Sequence, residues 1–455
     1  MDWAVFASFS LWSVIGCWGM YLWTKDIVGG ELAPLAGAVL FTLSPYHLNQ
    51  LYNSFMLGEF VSLAVLPFAF CFTRRLCDTG STRNLISLVF SISALILSNI
   101  PQMVVCFPFL ALYALLCIDR KRVLEQVTKL AASGILAALF TSFYWVRVVA
   151  EMSWIHISEP NKDPNYDFRN NFLFSATEAG PEGIGIGSIM LLLVVALAVV
   201  VLFASGRYKF VLRNRQTMPL VAILILSTLL ALPLSRQVWE TFDLLQRVQF
   251  PWRFLSVTSA AATAIMAYGI GAVNRQSMRE NRPLLLIMIG CVLILATFSV
   301  RQVILGAVFS EPGAFNRTAD ASATANGLYH WWPVWANKET FQERSKVVAN
   351  QREVSIHTWG RDRREFSIAP GTPSTVRAAV LYYPWWHATV NGQDVETHNL
   401  GGALAFDIGP ETSDCSLSFR EPAYTFISRI VAFVSLFGTL IFLVGAHLRR
   451  SFVYE

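Results

Sequence analysis

Glu59 is the first residue of this sequence whose type and place point to chemistry. It falls about one turn into an apolar run, directly after the polar stretch His47-Leu48-Asn49-Gln50-Leu51-Tyr52-Asn53-Ser54. A charge at membrane depth is expensive and calls for a function or a partner. A carboxylate there could act as a general base, hold a divalent metal or bind a sugar hydroxyl, with His47 assisting. It could equally be a helix N-terminal acid stabilised by the helix dipole, which needs no ligand. No ligand set for a metal can be identified, so the cofactor stays open.

Arg147 and Glu151 form the second constellation, spaced i and i+4. That spacing makes a local ion pair on one helix face, or the mouth of a cavity. A long polar loop follows, Ser158 to Gly183, with Asp163, Asp167, Arg169, Glu178 and Glu182. Loops of that length either carry binding groups or are solvated insertions. The third is the run from Phe242 to Phe254, which includes Arg247, Trp252 and Arg253. An amphipathic segment of this kind lies in the membrane interface. Trp252 would sit at headgroup level, and the guanidinium forks of Arg247 and Arg253 would meet lipid phosphates or simply anchor the chain. No P-loop, HExxH, GxSxG or GxGxxG signature is present.

The elements that must hold these residues are membrane spans. The 455 residues are 54% hydrophobic and 14% charged, with a mean hydropathy of +0.48, too apolar for an ordinary soluble chain. About 11 spans are expected, near 3–23, 32–46, 55–72, 85–99, 102–118, 128–149, 184–204, 217–234, 253–273, 284–301 and 424–447. The short ones around Pro45 and Pro101 read either as broken helices beside an outer cavity or as helix ends with proline as punctuation.

Lys and Arg cluster on alternate loops: Arg74/Arg75/Arg83, Arg120/Lys121/Arg122/Lys129, Arg207/Lys209/Arg213/Arg215, Arg275/Arg279/Arg282 and Arg449/Arg450. Cytoplasmic loops retain these residues, so 44–55, 98–102, 150–183, 235–252 and 302–422 are expected outside and the C-terminus inside. That topology places a multi-pass protein in the inner or plasma membrane and accounts for the net charge of +5 without nucleic acid. It also puts Met1 outside with no basic signal segment before it, as if an N-terminal helix and its loop were missing. The seven cysteines form no CxxC pair and suggest neither a disulfide framework nor a metal knuckle.

Three parts follow: a polytopic domain over 1–301, a β-rich extracytoplasmic domain over 302–422, and a last helix with a cytoplasmic tail over 423–455. Period-two alternation in 353–357, 364–368, 376–383 and 415–419, with the hairpin signal Asn391-Gly392, reads as a small antiparallel β-sandwich. Its tryptophans, Trp331, Trp332, Trp335, Trp385 and Trp386, pack a core, rest on the membrane or bind sugar. The sequon Asn316-Arg317-Thr318 carries little weight without a eukaryotic host.

Several segments together resemble a known family. They are Gly37-Ala38-Val39-Leu40-Phe41-Thr42-Leu43-Ser44-Pro45-Tyr46-His47-Leu48, Leu57-Gly58-Glu59, Leu66-Pro67, Phe143-Tyr144-Trp145 with Glu151 following, Gln249-Phe250-Pro251-Trp252-Arg253-Phe254-Leu255, and the run from Tyr382 to Gly392. The family is the bacterial 6-pyruvoyl-tetrahydropterin synthase-related membrane domain. Its members are polytopic, and nothing in the residues suggests the soluble pterin enzyme. The family is itself similar to the GT-C glycosyltransferases, which take sugar from a polyprenyl-phosphate donor on the outer membrane face.

The resemblance implies a GT-C-like helical fold around an outward cavity. It also implies a polyprenyl-phosphate-linked sugar and membrane lipid as partners, and cell-envelope glycosylation as the activity. It departs from the family at Asn99, where relatives often carry His, and at Asn53-Ser54, where they often carry Arg. The competing expectation is a non-catalytic membrane protein, either transporter- or flippase-like or a structural envelope component.

Overall fold

The computed structural model describes residues 2–52, 54, 56–156, 167–175, 185–273, scattered positions between 286 and 301, and most of 332–451. The expected span at 284–301, most of the loop 158–183, the sequon at Asn316 and Trp331 lie wholly or largely outside those residues. Two compact units emerge, one of Met1–Thr141 with Pro160–Glu311, the other of Ser142–Glu159 with Pro312–Glu455.

The main helices are α1 (Asp2–Val28), α2 (Leu32–Thr42), α3 (Pro45–Tyr52), α4 (Leu57–Thr79), α5 (Thr82–Ser98), α6 (Ile100–Cys117), α7 (Val123–Phe140), α8 (Ser142–Glu151), α9 (Ile186–Ala204), α10 (Met218–Ala231), α11 (Leu255–Val273) and α12 (Ala423–Ser451). Among the described residues, seven helices are long and apolar enough to cross a membrane. The segments Met218–Ala231 and Pro233–Thr241, bent by 84°, add an eighth if taken as one span. The sequence reading counted more because α2 and α5, though apolar, are only 11 and 17 residues long, and because the expected span at 284–301 lies largely outside the described residues.

Proline sets several of these boundaries. Lacking an amide hydrogen, it is welcome in a first helical turn and breaks what precedes it. Thus α2 stops at Thr42, and Pro45 opens α3. Asn99 caps α6 with Oδ1 accepting from the Gln102 amide at 2.9 Å, and Pro101 follows in the first turn.

In the first unit α11 is buried along its whole apolar length and packs against α1, α2, α9 and α10. Its sequence, rich in Ala, Ser, Thr and Gly, lets neighbouring backbones approach where Leu or Phe would hold them off. Large aromatics close the adjoining core, with Trp23 stacked on Phe70 at 4.8 Å and its indole donating to Tyr113 Oη at 3.0 Å.

Among the described residues, the second unit holds two antiparallel sheets. One has the order β1 (Val347–Val348), β4 (Ser374–Leu381), β8 (Ala403–Ile408), β7 (His398–Leu400); the other runs β2 (Val354–Trp359), β3 (Arg363–Ile368), β9 (Ser413–Phe419), β5 (Trp386–Val390), β6 (Gln393–Val395). Alternate residues turn inward, so Phe366, Ile368, Val376, Ala378, Phe406, Cys415 and Leu417 share one buried core. Asn391 and Gly392, with φ of 51° and 80°, form the tight turn between β5 and β6. The β-sandwich read from the sequence is therefore present, with α12 following it. Within this unit Ser142 Oγ of α8 donates to the Ser428 carbonyl of α12 at 2.8 Å.

Candidate functional site

Glu59 sits in the first turn of α4 and is fully buried. The preceding Gly58 has a local reason: a Cβ there would lie 2.6 Å from the Ser98 carbonyl oxygen, so only glycine lets α4 and the end of α5 meet this closely. The Glu59 carboxylate then gathers three donors from two elements. Oε1 accepts from the Tyr46 hydroxyl and from Gln50 Nε2 at 3.4 Å, both from α3, and Oε2 accepts from Arg253 Nε at 3.3 Å. Tyr46 and Gln50 are four residues apart and therefore lie on one face of α3.

Arg253 belongs to a short 3-10 helix, Pro251–Phe254, leading into α11, and is 4% exposed. Its guanidinium lies over the Phe250 ring at 4.9 Å and near that of Trp252 at 5.9 Å, while Nη1 donates to the Val248 carbonyl at 2.6 Å. The same carbonyl accepts the Phe250 amide at 2.8 Å, and between them Gln249 is held at φ +68°. That is a γ-turn with a non-glycine residue in the left-handed region, a strained form of about 1–3 kcal/mol that persists only where neighbours enforce it. Here it aims a carbonyl at the buried guanidinium. Sequence reasoning placed Arg253 at the lipid surface. The structure instead turns it inward, because the buried Glu59 carboxylate and the Val248 carbonyl draw its guanidinium off the surface.

Around this pair lies a shell of buried polar atoms without hydrogen-bond partners among the described residues: both ring nitrogens of His47, Gln50 Oε1, Gln102 Oε1, Gln249 Nε2 and Ser44 Oγ. Each such group costs about 1–3 kcal/mol when left unpaired in a folded core. Gln102 is tied to the network by Nε2, which donates to Ser256 Oγ, and Ser256 in turn donates to the Arg253 carbonyl at 2.7 Å. His47 packs edge-on against Phe41 and Phe60 at 5.3 and 4.6 Å and makes no hydrogen bond to Glu59.

The residues singled out from the sequence are thus distributed unevenly. Glu59, Arg253 and Trp252 come together, His47 packs on Phe60, the neighbour of Glu59 in α4, and Arg247 is exposed. Glu151 belongs to the other unit, where its partners are Arg147 Nε at 3.2 Å, Trp385 Nε1 at 3.2 Å and Tyr424 Oη at 2.5 Å. Those bonds tie the end of α8 to the loop before β5 and to the start of α12, beside a ring cluster in which Trp154 lies 5.5 Å from Tyr383 and 6.1 Å from Trp385. Tyr46, Gln50, Gln102 and Gln249 were not foreseen as site residues. The only signal for them was polarity inside or beside apolar runs. Among the described residues no three His, Cys, Asp or Glu side chains converge as a metal site would require.

A buried carboxylate facing a guanidinium and a phenol can accept a proton and can offer a positive charge to an anion, provided the pair can be parted. No curated protein and no solved structure matches the chain. The model of the family described as the 6-pyruvoyl-tetrahydropterin synthase related domain, a membrane protein, matches residues 4–305, a stretch that contains both Glu59 and Arg253; the chain belongs to that family.

Proposed function

We propose that this membrane protein is a GT-C-like glycosyltransferase that moves sugar from a polyprenyl-phosphate donor to a cell-envelope acceptor. The observation that carries the reading is the buried Glu59–Arg253 pair set among buried polar atoms that have no partner among the described residues. In an inverting transfer Glu59 takes the proton of the acceptor hydroxyl. The acceptor oxygen bonds to the sugar C1, and the C1–O bond to phosphate breaks, leaving the polyprenyl phosphate with one more negative charge. Protonating Glu59 removes its claim on Arg253 in the step that makes the phosphate more negative. Arg253, with Arg247 toward solvent, then stabilises the leaving group.

The β-sandwich and the basic loops support an outward-facing site if the loops obey the positive-inside bias. Mass-spectrometric profiling of envelope glycolipids and glycans with and without the gene tests the reading. Loss of one defined sugar, restored by the wild-type chain and not by Glu59→Gln, is expected; an unchanged profile sinks it.

A second reading, a non-catalytic transport or envelope protein, draws on the saturation of the Glu59 carboxylate by three donors. It predicts that Glu59→Gln destabilises the fold without altering any envelope sugar.

A further inference from the structure

We propose that the shell around Glu59 and Arg253 selects an uncharged, polyhydroxylated sugar and discriminates against a uronic acid or an amino sugar; this rests on the transferase reading. The formal charges of Glu59 and Arg253 cancel across their 3.3 Å contact. What surrounds them is neutral in kind: the Gln50 and Gln102 carboxamide oxygens, the Gln249 amide nitrogen and the His47 imidazole, all at least nine-tenths buried and all unpaired among the described residues. Two free acceptors, one free donor and a ring carrying one of each form a set that matches sugar hydroxyls, since every hydroxyl both donates and accepts.

Among the described residues, a ligand carboxylate or ammonium would meet no opposite charge in this shell that is not already engaged. Desolvating an unpaired charge is far more costly than desolvating a hydroxyl. The aromatic neighbours contribute in the same direction. Phe41 and Phe60 wall His47, and Phe250 and Trp252 wall Arg253, so water is a poor substitute partner. His47 is the most telling member. A histidine kept only for packing would have no use for two buried nitrogens that bond to nothing, and phenylalanine would fill its place better.

The test measures binding of three lipids to the purified full chain in nanodiscs: a polyprenyl phosphate, the same lipid carrying a neutral hexose, and the same lipid carrying a hexuronic acid. The neutral hexose is expected to tighten binding over the bare lipid by at least about tenfold, the worth of one or two good hydrogen bonds, and the hexuronic acid by nothing. His47→Phe is expected to keep or raise the thermal unfolding temperature while removing most of the hexose increment, with bare-lipid binding unchanged. Should that variant fail to fold, Gln249→Gly supplies the same comparison from another element.

Tighter binding of the hexuronic lipid, or a full hexose increment in a stable His47→Phe protein, overturns the selectivity and leaves the transferase reading standing. Failure of all three lipids to bind overturns both.

Discussion

At the scale of single residues, the energetics turn on one ion pair. Removing either member leaves the other charge buried and alone, so Glu59→Gln or Arg253→Met is expected to lower stability by about 3–5 kcal/mol. The double replacement Glu59→Gln with Arg253→Met should lower it by much less than the sum, which thermal unfolding in detergent as a double-mutant cycle would show. Additive losses would mean that the two side chains do not sense each other.

Cys415 gives a residue-scale prediction for pH. Burial in the sandwich pushes its thiol from an ordinary value of 9.0 up to about 12. The folded state thus favours the neutral thiol. Its contribution is fully present below the unfolded value and is lost as pH rises from there toward about 12. Maleimide should therefore leave Cys415 unmodified at pH 8 in the native protein and modify it after denaturation; rapid native labelling would contradict its burial. Both Glu59 and Arg253 were legible as unusual from the sequence alone, since a charge beside an apolar run stands out by position. Their partnership was not, because 194 residues separate them and no local period links such distant positions.

Among elements, the turns carry the sharpest expectations. Gly392 sits at φ 80° between β5 and β6, so Gly392→Ala should cost about 1–2 kcal/mol by the clash of a Cβ in the left-handed region. The opposite sign is expected at Gln249, at φ 68°: Gln249→Gly should relieve about 1 kcal/mol of backbone strain. Unfolding temperatures of the two variants on either side of the parent would confirm this, and two shifts of the same sign would not. Strands β3, β4 and β9 were readable because one face of each is drier than the other, and β2 by its alternating residue types although none of its residues is fully buried. Strand β8 was missed because five of its six residues are buried, which erases the two-residue period. Helix boundaries followed proline and Asn99 closely, while the apolar run 128–149 concealed a break at Thr141 that no Gly or Pro announces.

For the whole molecule, the charge pattern makes a topological prediction. A cysteine replacing the exposed Asp394 on β6 should react with an impermeant maleimide in intact cells, and one replacing the exposed Arg120 only after the membrane is opened. The reverse pattern would invert the orientation and remove the sandwich from the compartment of lipid-borne sugars.

Hydropathy and alternation are sums over near neighbours, so the order of residues was enough to mark a membrane protein with an antiparallel β-region before its last helix. That Arg253 faces inward to Glu59, that Glu151 serves a different unit, and that five polar residues share the buried shell emerged from the folded chain alone. Those facts depend on which helices pack together, and packing of distant segments leaves no periodic trace along the chain.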